Sequence, residues 1–268
     1  MSAMRLLLTA GYDRAAHVVA LGELLSRNGH QVVGVLVVNP FSLSRLRGMI
    51  RQRGRGFVLQ AARRLVGLAR ASESQADPLA EFLARHEIRH RSLKAWAAAR
   101  QAPYHVVRSL NDDEAVRIAT AVAADGVVYG GGGILKNSFL KAAQGRVLNA
   151  HSGPLPQVRG MNACEWSLML GLPPAVTIHY IDRGIDTGAS LETIPVPLEP
   201  GDDIERLRAK CVVAGVEGLI RAVDALKDPK PTRHAAAEAS RQCFVLAPVL
   251  LELLQARLRQ ARPKEPVH

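Results

Sequence analysis

Two short apolar runs flank a helical pattern near the start of the chain, and this feature constrains the fold most. Residues 4–10 (MRLLLTA) and 31–38 (QVVGVLVV) are almost continuously hydrophobic, and residues 15–28 between them repeat with helical spacing. Strands that lack polar alternation are typical of a parallel sheet that is buried on both faces. The unit therefore predicts an α/β fold in which helices cover both sides of the sheet.

The same alternation returns in the second half of the chain. Strands are predicted over residues 125–129, 146–151 and 175–181, and helices over 112–124, 135–143, 202–226 and 248–260. Residues 189–197 are expected to be an extended segment that leads away from the sheet. We predict a Rossmann-like, mostly parallel, twisted sheet in one domain over residues 1–200. Residues 201–268 are predicted to be a C-terminal helical region packed on the same domain.

The net charge of +11 favours an anionic partner, but it is concentrated in one segment. Between residues 41 and 75, eight arginines accompany a single acid, Glu73, and so supply seven of the eleven charges. Apolar residues in this segment keep helical spacing, which predicts an inserted, basic, amphipathic helical pair. We favour a solvated face over contact with a phosphate-bearing substrate, because charged helix faces are commonly solvated.

The three cysteines are widely separated and form no CxxC pair, so neither a disulfide framework nor a zinc knuckle is indicated. No segment approaches the roughly 20 apolar residues that a membrane span requires. These observations predict a cytoplasmic protein with no membrane partner and no metal. Cys164 is expected to be an inert core thiol on a buried helix.

Four consecutive glycines, Gly130 to Gly133, follow a predicted strand and precede a helix. An open parallel sheet binds its ligand at this kind of position. Lys136 occupies the third position of a possible GxGxxG pattern, which argues against a dinucleotide site. The run instead predicts a loop whose backbone approaches a flat ligand closely, because glycine has no Cβ.

Polar side chains follow two further predicted strands. Asn149 and His151 lie two residues apart on one strand and so share a face, and Asp186 follows the next strand between two glycines. We expect the three to converge at one end of the sheet. This set suits acyl transfer to an amine. The amide and a protonated imidazole can donate to a developing oxyanion, while the carboxylate orients the imidazole and takes up the amine proton.

His179 alternates with apolar neighbours, so we interpret it as a structural strand residue or a pocket wall. No metal-ligand spacing links it to His151 or Cys164.

Several spaced motifs resemble those of the folate-dependent formyltransferases. Residues 149–160 (NAHSGPLPQVRG) resemble the family's Asn-x-His, Leu-Pro and Arg-Gly segment. Residues 176–188 (VTIHYIDRGIDTG) resemble its Thr-containing strand and its Gly-Ile-Asp-Thr-Gly signature, and Glu165-Trp166 resembles its next helix. The resemblance covers residues 125–226 well and residues 41–100 hardly at all.

This resemblance implies a catalytic trio of Asn149, His151 and Asp186, acting by direct attack through a tetrahedral intermediate. It implies N10-formyltetrahydrofolate as the formyl donor, with its pterin between the loop after residue 129 and the loop after residue 181. The expected donor-binding residues are Tyr129, Gly130, Gly131, Gly132, Gly133, Ile134, Leu135, Asp182, Gly184 and Ile185. The acceptor is expected near Gly11, Arg159 and Gly160.

The acceptor is predicted to be a small amine, and one interpretation is favoured over two alternatives. Residues 11–14 (GYDR) lack the Gly/Ser-rich phosphate loop of glycinamide ribonucleotide transformylases, and only 80 residues follow Gly188. A nucleotide-linked amino sugar is therefore favoured, with a phosphate-bearing carrier. A methionyl-tRNA formyltransferase-like enzyme and a basic nucleic-acid-binding protein on an inactive fold are the alternatives. Both a monomer and a homodimer stay open.

Overall fold

The computed structural model describes residues 3–39, 77–227 and 240–260. The strands are β1 (Arg5–Ala10), β2 (Gln31–Val38), β3 (Tyr104–Val107), β4 (Gly126–Gly130), β5 (Val147–His151), β6 (Val158–Gly160), β7 (Ala175–Tyr180), β8 (Ser190–Pro195) and β9 (Arg241–Cys243). The helices are α1 (Ala16–Arg27), α2 (Pro78–Arg85), α3 (Leu93–Ala99), α4 (Asp113–Ala121), α5 (Asn137–Ala142), α6 (Ala163–Met169), α7 (Ile204–Ala222) and α8 (Pro248–Gln260). A 3-10 turn (Val223–Lys227) follows α7. The predicted basic insertion over residues 41–75 lies outside the described residues.

A seven-stranded sheet forms the centre of the described structure, in the order β3-β2-β1-β4-β5-β7-β8. The first five of these strands run parallel to one another, which confirms the predicted mostly parallel α/β sheet. Leucine and valine fill β1 and β2, and nearly all of their residues are buried. Helices on both faces account for this burial. The chain runs outward from β1 through β2 to β3 and then returns to form β4 on the other side of β1, so the sheet has a switch point between β1 and β4.

The last two strands depart from the parallel pattern. β7 runs antiparallel to β5, and β8 runs antiparallel to β7 at the edge of the sheet. The segment over residues 189–197, expected to lead away, therefore stays in the sheet as its edge strand. This expectation was wrong because the segment's alternating exposure, which suits an edge strand, carries little hydrophobic signal.

Two layers of helix enclose the sheet. α1, α3 and α7 pack on one face, and α4 and α5 pack on the other. α7 reaches β5 and β7 closely because it presents glycine there. A Cβ at Gly215 would lie 2.9 Å from that of Ala150, and one at Gly218 would lie 2.7 Å from Cδ1 of Ile178. The N-terminus of α7 is capped by the Asp203 carboxylate, which accepts from the amide of Arg206.

A small second sheet joins the C-terminal region to the candidate site. β9 pairs in parallel with β6, and α8 follows it. The helix α8 begins and ends where residues 248–260 were predicted to be helical, whereas β9 lies inside a region predicted to be helical only. The boundary at residue 200 stays a prediction. Among the described helices, none combines the length and hydropathy needed to span a bilayer.

Candidate active site

Asn149 and His151 lie at the carboxyl end of β5, next to the switch point of the sheet. Their register partners on β7 are His179 and Thr177. His151 is buried and Asn149 is partly buried, so both are shielded from bulk water without being closed off. The register places a second histidine directly beside the asparagine.

Asp186 reaches these residues by a route that the sequence did not predict. Because β7 is antiparallel to β5, the chain leaves β7 near the amino end of β5, where the amide of Ile181 donates to the carbonyl of Val147. The following loop turns back toward the carboxyl end of β5. The three side chains do converge, as expected. A loop that returns from the far end of β7 brings Asp186 there, whereas the sequence had suggested two parallel strands that end at the same edge.

The returning loop is organised by its own side chains. The Asp182 carboxylate accepts from the amide of Gly184 and from the Thr187 hydroxyl, at 3.0 and 2.6 Å. Asp186 then adopts a left-handed backbone conformation, with φ of 51°. Aspartate tolerates this conformation better than most residues. The strained backbone aims the Asp186 carboxylate back at His151.

His151 has both ring nitrogens engaged. Its Nε2 donates to the carbonyl oxygen of Val158 at 2.8 Å, because a carbonyl can only accept. Its Nδ1 lies 3.5 Å from Oδ2 of Asp186. With the Nε2 proton held by the backbone, Nδ1 can donate only when the ring carries both protons. Nδ1 is therefore the ring nitrogen that faces the carboxylate of Asp186.

His179 is the site residue that was not predicted. Its side chain is fully buried, its Nδ1 donates to the carbonyl of Tyr180 at 2.8 Å, and its Nε2 lies 3.0 Å from Nδ2 of Asn149. Burial lowers the pKa of His179 to about 4, although the Asp186 carboxylate opposes this effect. The ring is neutral near pH 7, so Nε2 carries a lone pair and accepts from the amide.

The tautomer of His179 determines how Asn149 is presented. Only the Nδ2 group of the amide can donate to the Nε2 lone pair, so the rotation of the amide by 180° is disfavoured. The second N–H of Asn149 remains available for a ligand oxygen. His179 could have been identified only from its pairing with Asn149 in the antiparallel register of β5 and β7, and a single sequence does not reveal that register.

Strand β6 supports the carboxylate from the other side. The amide of Gly160 donates to Oδ2 of Asp186 at 2.8 Å. Gly160 has φ of +94°, and a Cβ there would overlap the carbonyl oxygen of Cys243, so the β6–β9 pairing requires glycine. Arg159 was predicted to bind the acceptor. In the structure its guanidinium donates to the Ile185 carbonyl and the Ser240 hydroxyl, and so ties β6 to the returning loop.

The glycine run follows β4 on the other side of the switch point. Three of its residues, Gly131 to Gly133, have positive φ, and Gly11 after β1 packs against Gly131 and Gly132. The Tyr129 hydroxyl donates to the carbonyl of Gly133 at 2.8 Å and accepts from its amide at 3.0 Å. The Tyr129 hydroxyl therefore holds the loop in place, and the glycines present backbone atoms without side chains at its surface.

Two cavities have walls that include residues predicted to bind the donor, and the second also includes a residue of the trio. One of about 550 Å³ lies between α5 and the returning loop, with Leu140, Ile181 and Asp182 in its wall. Its volume and mixed lining suit a ring system of pterin size. The other, of about 230 Å³, lies between α1 and α7 and has Asn149 in its wall. Tyr129, Gly130 and Gly131, predicted to contact the pterin, line this second cavity, so their assignment to the donor stays a prediction.

The remaining predicted residues are placed as follows. Ile134 is 71% exposed beside the glycine run, whereas Leu135 is buried in the sheet's second face. Cys164 is buried, and a hydrogen bond from the Cys211 thiol, together with burial, raises its pKa, which suits the inert thiol expected. Within residues 3–39, 77–227 and 240–260, no group of three or more His, Cys, Asp or Glu side chains could hold a metal.

Comparisons with known proteins agree on one family. A family model described as formyl transferase matches residues 58–223, which is more than half of the chain. A methionyl-tRNA formyltransferase from Anaeromyxobacter sp. (strain K) is 31% identical over 157 residues, covering 57% of this chain and 50% of that protein. A phosphoribosylglycinamide formyltransferase from Mycobacterium tuberculosis is 37% identical over 117 residues, covering 42% of this chain and 54% of that protein. The chain thus spans about half the length of these relatives.

Solved structures of similar fold extend over most of the chain. A phosphoribosylglycinamide formyltransferase from Anaplasma phagocytophilum superposes with a TM-score of 0.57 at 18% identity, covering 85% of this chain and 89% of that one. A sugar N-formyltransferase from a Shewanella species superposes with a TM-score of 0.57 at 13% identity, covering 95% of this chain and 87% of that one. These matches show that the fold is shared.

Proposed function

The chain belongs to the formyl transferase family, and from this premise we propose that it transfers a formyl group from N10-formyltetrahydrofolate to a primary amine. The observation that carries the proposal is the grouping of Asn149, His151 and Asp186 at the carboxyl end of β5. A free amide N–H, a titratable imidazole nitrogen and a carboxylate lie together there. Acyl transfer to an amine needs this set and no side-chain nucleophile.

Each residue of the trio has a separate task in the proposed reaction. The folate supplies the formyl group, whose carbon forms a bond to the acceptor nitrogen while its bond to N10 breaks. Asn149 donates its second N–H to the carbonyl oxygen as negative charge develops there. A protonated His151 shares its Nδ1–H between that oxygen and the Asp186 carboxylate, because Val158 holds its Nε2–H. Asp186 takes up the proton that the amine loses, directly or through water. That proton passes to N10 as the bond between N10 and the formyl carbon breaks.

The returning loop and α5 provide the proposed donor site. The cavity of about 550 Å³ there has aliphatic walls from Leu140, Ile181 and Ala189 and backbone groups from the loop. A flat heterocycle fits between such walls and is oriented by hydrogen bonds to a few backbone groups. Asp182, Arg183 and Gly188 of the loop that carries Asp186 line this cavity, and this shared loop supports the assignment of the donor to it. Ile134 and the glycine backbone extend the proposed donor surface.

The acceptor that we propose is a nucleotide-linked amino sugar. Residues 11–14 lack a Gly/Ser-rich phosphate loop, which disfavours glycinamide ribonucleotide. A methionyl-tRNA acceptor is the second candidate, because a curated relative with that name is 31% identical to this chain. An assay that offers both acceptors side by side separates the two.

The direct test uses purified protein, N10-formyltetrahydrofolate and a panel of amines, and it measures release of tetrahydrofolate. We expect release that depends on an acceptor, and a gain of about 28 Da on that acceptor by mass spectrometry in a single turnover. Asp186→Asn keeps a side chain that tolerates the left-handed backbone and accepts from Gly160, so it should fold normally and lose about 10³-fold in kcat. Wild-type turnover by Asp186→Asn would contradict the proposed role.

A further inference from the structure

A single arginine joins three segments around the returning loop. Arg159 lies on β6, and it is partly buried. Its Nε donates to the Ser240 hydroxyl at 2.7 Å, and its Nη1 donates to the carbonyl of Ile185 at 3.2 Å. These partners lie 81 and 26 residues away along the chain. The planar guanidinium therefore holds β6, the residue before β9 and the returning loop in fixed positions relative to one another.

The carbonyl that accepts from Arg159 belongs to the residue before Asp186. A peptide bond is planar, so the hydrogen bond to the Ile185 carbonyl also sets the orientation of the Asp186 amide. Asp186 has φ of 51°, a conformation that persists only where the surrounding structure holds it. Arg159 provides such support on the amino side of Asp186.

Gly160, the next residue on β6, holds the carboxylate of the same aspartate. Its amide donates to Oδ2 of Asp186 at 2.8 Å, and this oxygen lies 3.5 Å from Nδ1 of His151. Two consecutive residues of β6 therefore contact the peptide before Asp186 and its carboxylate. Because both contacts come from one strand, a displacement of β6 would change the distance between the carboxylate and His151.

Strand β9 determines where β6 lies. Gly160 pairs with Cys243 of β9, and a Cβ at Gly160 would lie 2.2 Å from the Cys243 carbonyl oxygen, so the two strands are in close contact. Ser240 and β9 lie beyond residues 58–223, which the family model matches. Part of the support for Asp186 therefore comes from outside the matched region.

We propose that Arg159 is a positioning residue for Asp186, and that the segment from Ser240 through β9 contributes to the active site through it. In this role, the arginine acts through the returning loop and not on the reacting atoms. It restricts the loop so that the carboxylate stays beside His151 while the acceptor amine loses its proton. This inference rests on the proposed function, because that function assigns the task to Asp186.

A direct contact between Arg159 and an anionic acceptor is the competing interpretation. The Nη2 of Arg159 makes no hydrogen bond to any residue that the structure describes, so it can bind a phosphate oxygen. Loss of such a contact would raise the KM of the acceptor, whereas loss of positioning would lower kcat. The two interpretations therefore differ in the kinetic constant that changes.

The test is steady-state kinetics with N10-formyltetrahydrofolate and the acceptor found in the amine panel. Arg159→Met keeps the apolar stem without its donors, and it should lower kcat about tenfold or more while both KM values stay within about twofold. Arg159→Lys, which keeps one donor group, should recover part of the loss. Arg241→Met is the matched control, because Arg241 is exposed on β9, and its kcat should stay within about twofold of wild type. A wild-type kcat in Arg159→Met, or a rise in the acceptor KM alone, would overturn the proposal.

Two further variants test the route of the effect. Ser240→Ala removes one partner of the guanidinium and should lower kcat about threefold. In an Asp186→Asn protein, Arg159→Met should cause little further loss, because a residue that acts through the carboxylate has no effect once the carboxylate is gone. A wild-type kcat in Ser240→Ala would refute the contribution of the C-terminal segment, and additive losses in the double variant would refute the positioning role.

A spectroscopic readout separates this inference from the proposed function. The ring NMR signals of His151 depend on the nearby carboxylate whether or not an amine is formylated. Arg159→Met should shift them in the same direction as Asp186→Asn, and Arg241→Met should not. If these shifts occur but no amine is formylated, the proposed function fails and positioning by Arg159 stands. If an acceptor is formylated and Arg159→Met changes neither kcat nor these signals, positioning fails and the proposed function stands.

Discussion

At the scale of single residues, the candidate site depends on two histidines with opposite proton assignments. His151 has its Nε2 proton held by Val158 and has its Nδ1 3.5 Å from Oδ2 of Asp186. His179 has its Nδ1 proton held by Tyr180 and keeps a bare Nε2 toward Asn149. Backbone carbonyls set both tautomers. One imidazole is therefore suited to proton exchange, and the other is suited to holding an amide.

We predict that His179 acts as a positioning residue through Asn149. His179→Leu removes the acceptor for Nδ2 and should lower kcat about 10- to 100-fold with little change in KM for the formyl donor, since one oriented donor to an oxyanion contributes on this order. His179→Gln, whose amide oxygen can accept from Asn149, should recover part of the loss. Steady-state kinetics check both variants. A Leu variant with wild-type kcat would show that the amide needs no such support.

The lowered pKa of His179 also predicts a pH dependence of stability. The folded pKa is about 4 and the ordinary value is 6.5, so below pH 6.5 the unfolded chain binds a proton that the folded chain does not. The free energy of unfolding should therefore fall with decreasing pH, by up to about 1.4 kcal/mol per pH unit between these values for one group. Urea denaturation from pH 4.5 to 7.5 should show a shallower decrease for His179→Gln. Equal slopes for the two proteins would refute the assignment.

At the scale of elements, helix α7 links the fold to the site. It packs on β5 and β7 through Gly215 and Gly218, and Gly215 with its neighbours Val212 and Val216 also lines the cavity of about 230 Å³ beside Asn149. Strand β6 has a similar double role, because Gly160 pairs with β9 and donates to Asp186. Elements outside the parallel core therefore set the geometry of the trio.

We predict that Gly218→Val destabilises the protein by about 1–3 kcal/mol, because added volume in a close helix–sheet contact forces neighbours to move. The nearest atom is Cδ1 of Ile194, at 2.5 Å from the position of a Cβ, and two atoms of Ile178 follow at 2.7 and 2.8 Å. Glu217→Val at the neighbouring exposed position tests the effect of a β-branched residue in the helix alone and should cost only a few tenths of a kcal/mol. Urea denaturation measures both. Equal losses of unfolding free energy in the two variants would show that close packing at Gly218 does not contribute to stability.

At the scale of the whole molecule, we expect that binding of the proposed formyl donor stabilises the folded state. A donor analogue that cannot react, such as 5-formyltetrahydrofolate, adds about 2.7 kcal/mol at a hundred times its Kd. For a domain of this size, this corresponds to roughly 5–10 °C in Tm. Ile134→Glu, on the exposed loop beside the glycine run, should reduce the shift, and Asp186→Asn should keep it. No shift at saturating concentration would argue against the donor site.

The outline of the fold and the trio were accessible from the sequence because their signals are local. The almost continuous apolar run of residues 32–38 is typical of a strand buried on both faces, and Asn149 and His151 stand two apart on another predicted strand. The sequence does not indicate the direction of β7, because the hydrophobic pattern of a buried strand is the same whether the strand runs parallel or antiparallel to its neighbour. The edge strand β8 and the role of His179 depend on that direction, so neither was predicted.

The sequence by itself determined a doubly covered α/β sheet and the residue types that acyl transfer to an amine requires. Only the tertiary structure decided how they meet: an antiparallel β7 puts His179 beside Asn149, and a loop with Asp186 at positive φ returns the carboxylate to His151. It also decided that a cavity with Asn149 in its wall lies between α1 and α7. The physical reason is that side-chain periodicity records burial along one strand or helix, whereas register, tautomer and cavity shape depend on contacts between elements.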